Sequence, residues 1–179
     1  MHLRKNVPMK KVIILLCIAG LPATLLAQSK KVKVYAYQQD VLPGVRKTTI
    51  DESGNTKEVP AKMNVNTFLY LQIPSGKNVD PKHVWLDGKL YDVKTSTPTL
   101  PVVMYNSSIP GKKPDTLVHA TSNKVLQLSL APASDTFKPS STAKKKMKSN
   151  ELVVHTIEMG KNCYYYVDHV KKLDPVALQ

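Results

Sequence analysis

Cysteine is nearly absent from the chain. Only Cys17 and Cys163 occur among 179 residues, so no disulfide framework can stand in for a hydrophobic core. Glycine is also sparse, at 7 residues against 13 prolines. No G-x-G-x-x-G, G-x-x-x-x-G-K-[ST] or D-x-[DN]-x-[DN]-G run is present, which argues against dinucleotide, P-loop and calcium-loop proteins. His83, His119, His155 and His169 stand at no zinc-ligand spacing and beside no C-x-x-C. The sequence therefore predicts neither a metal nor a cofactor. Helical periodicity is missing as well. After Gln28 no stretch of ten or more residues places apolar positions at helical spacing, and no repeat of fixed period is found.

Acidic residues are lacking at the start of the chain, where none precedes Asp40, while Arg4, Lys5, Lys10 and Lys11 lead into the apolar run VIILLCIAGLPATLLA over 12–27. A positive region, a short apolar region and a small residue form the pattern of a secretory signal peptide, expected to be cleaved after Ala27. The run holds sixteen residues broken by Gly20 and Pro22, whereas a membrane span needs ~20, so no retained transmembrane helix is expected. Leu16 before Cys17 argues against a lipidation site. Residues 1–27 carry four of the 26 basic residues and none of the 13 acidic ones, leaving 22 against 13, a net charge of +9. The remaining 152 residues suffice for a single domain, since a chain of that size buries ~68–70% of its unfolded surface.

Apolar residues in this domain, 28–179, alternate with period two, which predicts an all-β fold. Val32, Val34 and Ala36 alternate with Lys33, Tyr35 and Tyr37. A hairpin is expected over 45–50 and 56–59 about the turn-rich residues 51–55. Residues 65–73, VNTFLYLQI, are apolar on both faces and predict a central strand. Asp87-Gly88 between apolar runs suits a type I′ turn, whose register sets Leu86 opposite Lys89, Trp85 opposite Leu90, Val84 opposite Tyr91 and His83 opposite Asp92. Further strands are expected over 100–105, 116–119, 125–130, 152–158 and 164–170. Many short strands favour an antiparallel β-sandwich, Ig-like or similar, with a barrel as the alternative. Residues 131–150, APASDTFKPSSTAKKKMKSN, are low in complexity and read as a mobile basic loop before a final hairpin.

Nucleophile and base pairs were sought in these elements. A two-residue turn at Gly160-Lys161 or Lys161-Asn162 puts Cys163 on the face of Thr156, Glu158, Tyr165 and Val167. His155 then lies on the other face with Tyr164, Tyr166 and Asp168. Even a three-residue loop leaves the two on the order of 13 Å apart, at ~3.3 Å per residue, beyond the hydrogen-bond reach of a catalytic dyad. His169, six residues along the same strand, fails similarly, and an inert thiol is expected. Ser141 and Lys144 match S-x-x-K, which needs a helix that the local composition does not predict. His83 opposite Asp92 reads as a cross-strand charge pair. No catalytic residue is assigned, and the protein is not expected to be an enzyme.

Two groups of residues are candidates for binding. Lys138, Lys144, Lys145, Lys146 and Lys148, with Lys112-Lys113 in another loop, form a basic surface suited to an anionic glycolipid or another polyanion. Nucleic acid is not expected, because no aromatic residue is interleaved with the lysines. Tyr164 and Tyr166 share one strand face and, with Tyr35, Tyr37 and Trp85, could stack on sugar or meet a protein. Asn106-Ser-Ser108 is an N-glycosylation sequon, relevant in a eukaryotic source. The Lys-rich leader and compact β pattern resemble small exported envelope proteins of Gram-negative bacteria. The resemblance rests on the first thirty residues and the overall pattern and brings no functional motif. The first expectation is a non-enzymatic binding or accessory module in the periplasm or at the cell surface, with an envelope protein, glycan or anionic glycolipid as partner. The alternatives are a hydrolase or transferase of envelope polymers, in which several of His83, His119, His155, His169, Asp92, Asp168 and Cys163 converge, and a structural surface component that associates through strand edges.

Overall fold

The computed structural model describes residues 31–44, 48–50, 52–58, 64–134 and 137–177. The expected leader, 1–27, lies outside them. The long strands are β1 (Lys33–Leu42), β4 (Asn64–Ile73), β5 (Asp80–Leu86), β6 (Lys89–Ser96), β9 (Lys124–Pro132), β10 (Leu152–Glu158), β11 (Lys161–Val167) and β12 (Lys171–Ala177). They form one sheet in the order β11-β10-β5-β6-β9-β4-β1-β12. The hairpins β2 (Thr48–Ile50) with β3 (Thr56–Glu58) and β7 (Val102–Met104) with β8 (Asp115–Val118) are separate two-stranded sheets. The protein is all-β, as period-two alternation requires.

Alternation along each strand feeds two cores. Leu69, Leu71 and Ile73 of β4 face the same side as Ala36, Val84, Leu126, Leu152 and Val154. These side chains fill the inside of the large sheet, which curls until β1 and β11, six places apart in strand order, approach each other. The opposite parity places Tyr37, Tyr70 and Val125 on the outside, where Leu117 and Val118 of β8 cover them. The layering thus lies between sandwich and barrel: a half-barrel carries a small second sheet. The central-strand expectation holds for the second half of β4, where Leu69 to Gln72 are paired on both sides and Leu69 to Ile73 are buried on both faces.

The Asp87-Gly88 turn has φ of 50° and 76°, and every pair expected across it is present: Leu86–Lys89, Trp85–Leu90, Val84–Tyr91 and His83–Asp92. Of the hairpin expected at 45–59, Thr48 pairs with Glu58 and Ile50 with Thr56, while 45–47, 51 and 59 lie outside the described residues.

Three expectations are corrected. Residues 131–150 are not all loop. β9 runs on to Pro132, and α1 (Ser141–Met147) follows. The Ser140 Oγ caps its first turn by accepting the Ala143 N–H at 3.2 Å, three lysines sit in its last turn, where cations suit the helix dipole, and Ala143 is buried. Seven residues are too few for a periodicity signal, and tertiary packing holds such a helix. The final hairpin turns at Met159-Gly160, because Glu158 pairs with Lys161, one residue before the earliest turn expected. The faces of Cys163 and His155 come out as expected, since both registers share the same parity. Lastly, the chain does not end in that hairpin: β12 continues to Ala177 and pairs in parallel with β1, Tyr37 opposite Lys171. Lys171-Lys172 and Pro175 hide β12 from pattern reading, and proline is tolerated because the strand lies at an edge.

Candidate functional site

Strand register lines up two rows of side chains on the outer face of β6, β5, β10 and β11. One is Asp92, His83, His155 and Tyr164, and its neighbour is Leu90, Trp85, Val153 and Tyr166. Neighbouring strands lie ~4.8 Å apart, so flat rings in such a row must touch. The two imidazoles are parallel within 7° with centroids 5.5 Å apart, while their Nδ1 atoms are 3.2 Å apart. The difference is taken up by the two ring radii, so the rings meet edge to edge in nearly one plane with Nδ1 facing Nδ1.

Phe137 covers this seam. Its ring stacks at 4.7 Å on His83 and at 4.7 Å on His155, tilted 17° and 19°, with Trp85 at 5.9 Å. Tyr164 stacks on His155 at 5.1 Å. His155 is 2% exposed.

Hydrogen bonds fix where the protons sit. His155 Nε2 donates to Asn162 Oδ1 at 2.8 Å, which leaves His155 Nδ1 as an acceptor for the His83 Nδ1–H. His83 Nε2 lies 3.7 Å from Asp92 Oδ1. Asp92 Oδ2 in turn accepts the Ser134 N–H at 2.9 Å and its hydroxyl at 2.7 Å. Those bonds, then the neighbouring His83, hold the Asp92 carboxyl below its usual value. Burial pushes the His155 imidazole down, against the opposing pull of Asn162, and His83 and Lys82 lower it further. The pair can share one proton but not accommodate one on each facing nitrogen.

The binding candidates fall beside this cluster. Lys138, Lys144, Lys145, Lys146 and Lys148 are all exposed, and among the described residues no ion pair engages them. The Lys146 Nζ lies 5.8 Å from the centre of the Tyr166 ring, so the basic and aromatic candidates adjoin. Tyr164 and Tyr166 are half-buried, and Trp85 joins Tyr164 at 6.5 Å. Tyr35 and Tyr37 do not join them. They pack toward the β7–β8 layer, where Tyr37 donates to the Leu117 carbonyl at 2.6 Å. Lys112 is already matched by Asp115 at 2.8 Å and Asp174 at 2.5 Å.

Ser141 and Lys144 do stand in the first turn of a helix, against expectation, but both side chains point to solvent. Cys163 borders a crevice of about 300 Å³ with Lys77, Glu158 and Met159. Burial, followed by the Glu158 charge, pushes its thiol up, away from the thiolate a nucleophile needs. His119 is exposed, and His169 meets Glu151 at 3.1 Å on the surface. The Asn106 amide is occupied, donating to the Asp174 and Pro175 carbonyls. Among the described residues no helix is long and apolar enough to cross a membrane. No protein-family model, curated protein or solved structure matches the chain.

Proposed function

We propose that the protein is an exported, non-enzymatic binding module of the bacterial cell envelope that engages an anionic glycolipid or glycan surface through Lys138, Lys144, Lys145, Lys146 and Lys148, with Tyr164 and Tyr166 beside them. The observation that carries this reading is the placement of α1. Its lysines stand exposed and unpaired among the described residues, while Ala143 is buried and Lys146 lies over Tyr166, so positive charge is held in a fixed array next to aromatic rings. Such an array attracts a polyanion through its summed field, and the attraction weakens as salt shortens the screening length to ~10 Å at 0.1 M.

Replacing Lys144, Lys145, Lys146 and Lys148 with Ser tests this. Binding to vesicles containing anionic glycolipid should weaken strongly at low salt, with the melting temperature nearly unchanged, because no ion pair among the described residues is lost. Equal binding by variant and parent at low salt overturns the reading.

A hydrolase or transferase is the second reading, favoured by the convergence of His83, His155 and Asp92. Phe137 stacks on a face of each imidazole. The ring of Phe137 over the dyad supports binding over catalysis.

A further inference from the structure

We propose that the His83–His155 pair is a proton-operated latch: with one proton shared between the facing Nδ1 atoms it seats Phe137 and holds Ser134 and residues 137–148 against the sheet, and a second proton there releases them. The inference concerns docking of the segment alone and stands whatever its lysines bind.

The geometry admits two states. In the docked state His155 donates through Nε2 to Asn162 and accepts through Nδ1 from His83. Both rings then lie flat and parallel within 7°, which gives Phe137 a continuous surface to stack on. A proton added to His155 Nδ1 sets two N–H groups head to head across 3.2 Å. It also places a positive charge on the buried His155 ring, while Asp92 faces the far nitrogen of His83. Among the described residues, the charged and titratable groups around the pair are Asp92 on β6, Lys82 on β5 and the Tyr164 phenol on β11. The docked segment itself contributes the uncharged Phe137 and Ser134. Lys82 opposes the added proton, and Tyr164 cannot compensate it. One ring must turn or withdraw, and the seat of Phe137 is lost with it.

Ser134 ties the segment to the same network, because its backbone and hydroxyl both hold Asp92. Asp92 keeps its charge through the working range, since its carboxyl is held down. The direction follows from burial. The docked His155 binds protons less readily than a free imidazole, whose usual value is 6.5. Docking is therefore at full strength above that value, weakens as pH falls below it, and is weakest below the lowered docked value. Each unit between the two values weakens docking up to about tenfold.

Trp85 is the sole tryptophan and sits under Phe137, so acrylamide quenching of its fluorescence reports whether the segment is seated. The quenching constant of the full chain would be measured at pH 7.5 and pH 5.0, with Phe137→Ala as the reference for an unseated ring and far-UV circular dichroism confirming that the sheet persists. The parent should move from low quenching at pH 7.5 toward the Phe137→Ala value at pH 5.0. His155→Gln and His83→Gln should each abolish the pH step, so that either one suffices if the other fails to fold. A parent constant unchanged between the two pH values, or a step of undiminished size in both glutamine variants, overturns the latch.

Discussion

His155 has chemistry to offer only because of the residues set around it. A histidine on an exposed strand titrates near its usual value, whereas this one has His83 on one side, Tyr164 on the other and Phe137 above. Glu151 is a second residue whose neighbours define it. Its carboxylate accepts the Val170 N–H at 2.7 Å and lies 3.1 Å from His169, and these bonds, the backbone one first, hold it below its usual value. A carboxyl lowered in the folded state stabilises the fold above its usual value and loses that contribution as pH falls through the lowered one. Glu151→Gln should therefore melt below the parent at pH 7, and the two curves should converge as pH falls below the lowered Glu151 value. A gap that persists at the acid end would assign the loss to packing instead. The His83–Asp92 pair is legible in the sequence because a two-residue Asp-Gly turn dictates register over a few positions. The meeting of His83 with His155 is not, since 72 residues separate them and no local pattern reports which distant strands adjoin. Ser134 and Phe137 were hidden for a related reason. They lie in a stretch whose composition reads as loop, and Phe137 is its sole aromatic.

At the scale of elements, the two tight hairpins make an instructive contrast. Both turn through two residues of positive φ, Asp87 and Gly88 at 50° and 76°, Met159 and Gly160 at 47° and 75°. Asp-Gly is a strong type I′ signal, and its hairpin is readable to the residue. Met-Gly is a weak one, because a methionine in the left-handed region costs about 1–2 kcal/mol, and the turn was expected one residue later or more. Met159 is 90% exposed, so its side chain contributes little packing. Met159→Asn should raise stability by up to about 1 kcal/mol by suiting the turn, read as a higher urea midpoint. A lower midpoint would show that the sulfur side chain is needed at the Cys163 crevice. α1 shows the reverse limit. Its Ser140 cap is a recognisable start signal, but seven residues carry no periodicity to set beside it.

The molecule as a whole presents one edge of its large sheet at β12. The edge at β12 is dressed: Asn106 bonds to the Asp174 and Pro175 carbonyls, Ser108 Oγ accepts the Ala177 N–H at 2.8 Å, and Pro175 offers no donor. Such an edge resists pairing with another chain, which counts against a filament built through it. Ending the chain after Val170 would strip that protection and bare β1, with Tyr37 and Gln39 losing the cover of Leu173 and the Asp174 carbonyl. The shortened protein should form large species on size-exclusion chromatography at neutral pH. A monomeric peak with the parent's melting temperature would show that β12 is dispensable. Fold class was legible because alternation is a local property. The edge at β12 was not, because it depends on a polar strand choosing a partner 134 residues away.

That last pairing also sets how the protein bears tension. β1 and β12 are neighbours running in the same direction, so a pull on the chain before β1 and after β12 draws the two strands past each other along their length. The hydrogen bonds between them are then loaded together in shear rather than opened singly, as in a peeled hairpin. Anchored at one end to a moving surface and at the other to its load, this domain would hold until the whole β1–β12 seam failed at once.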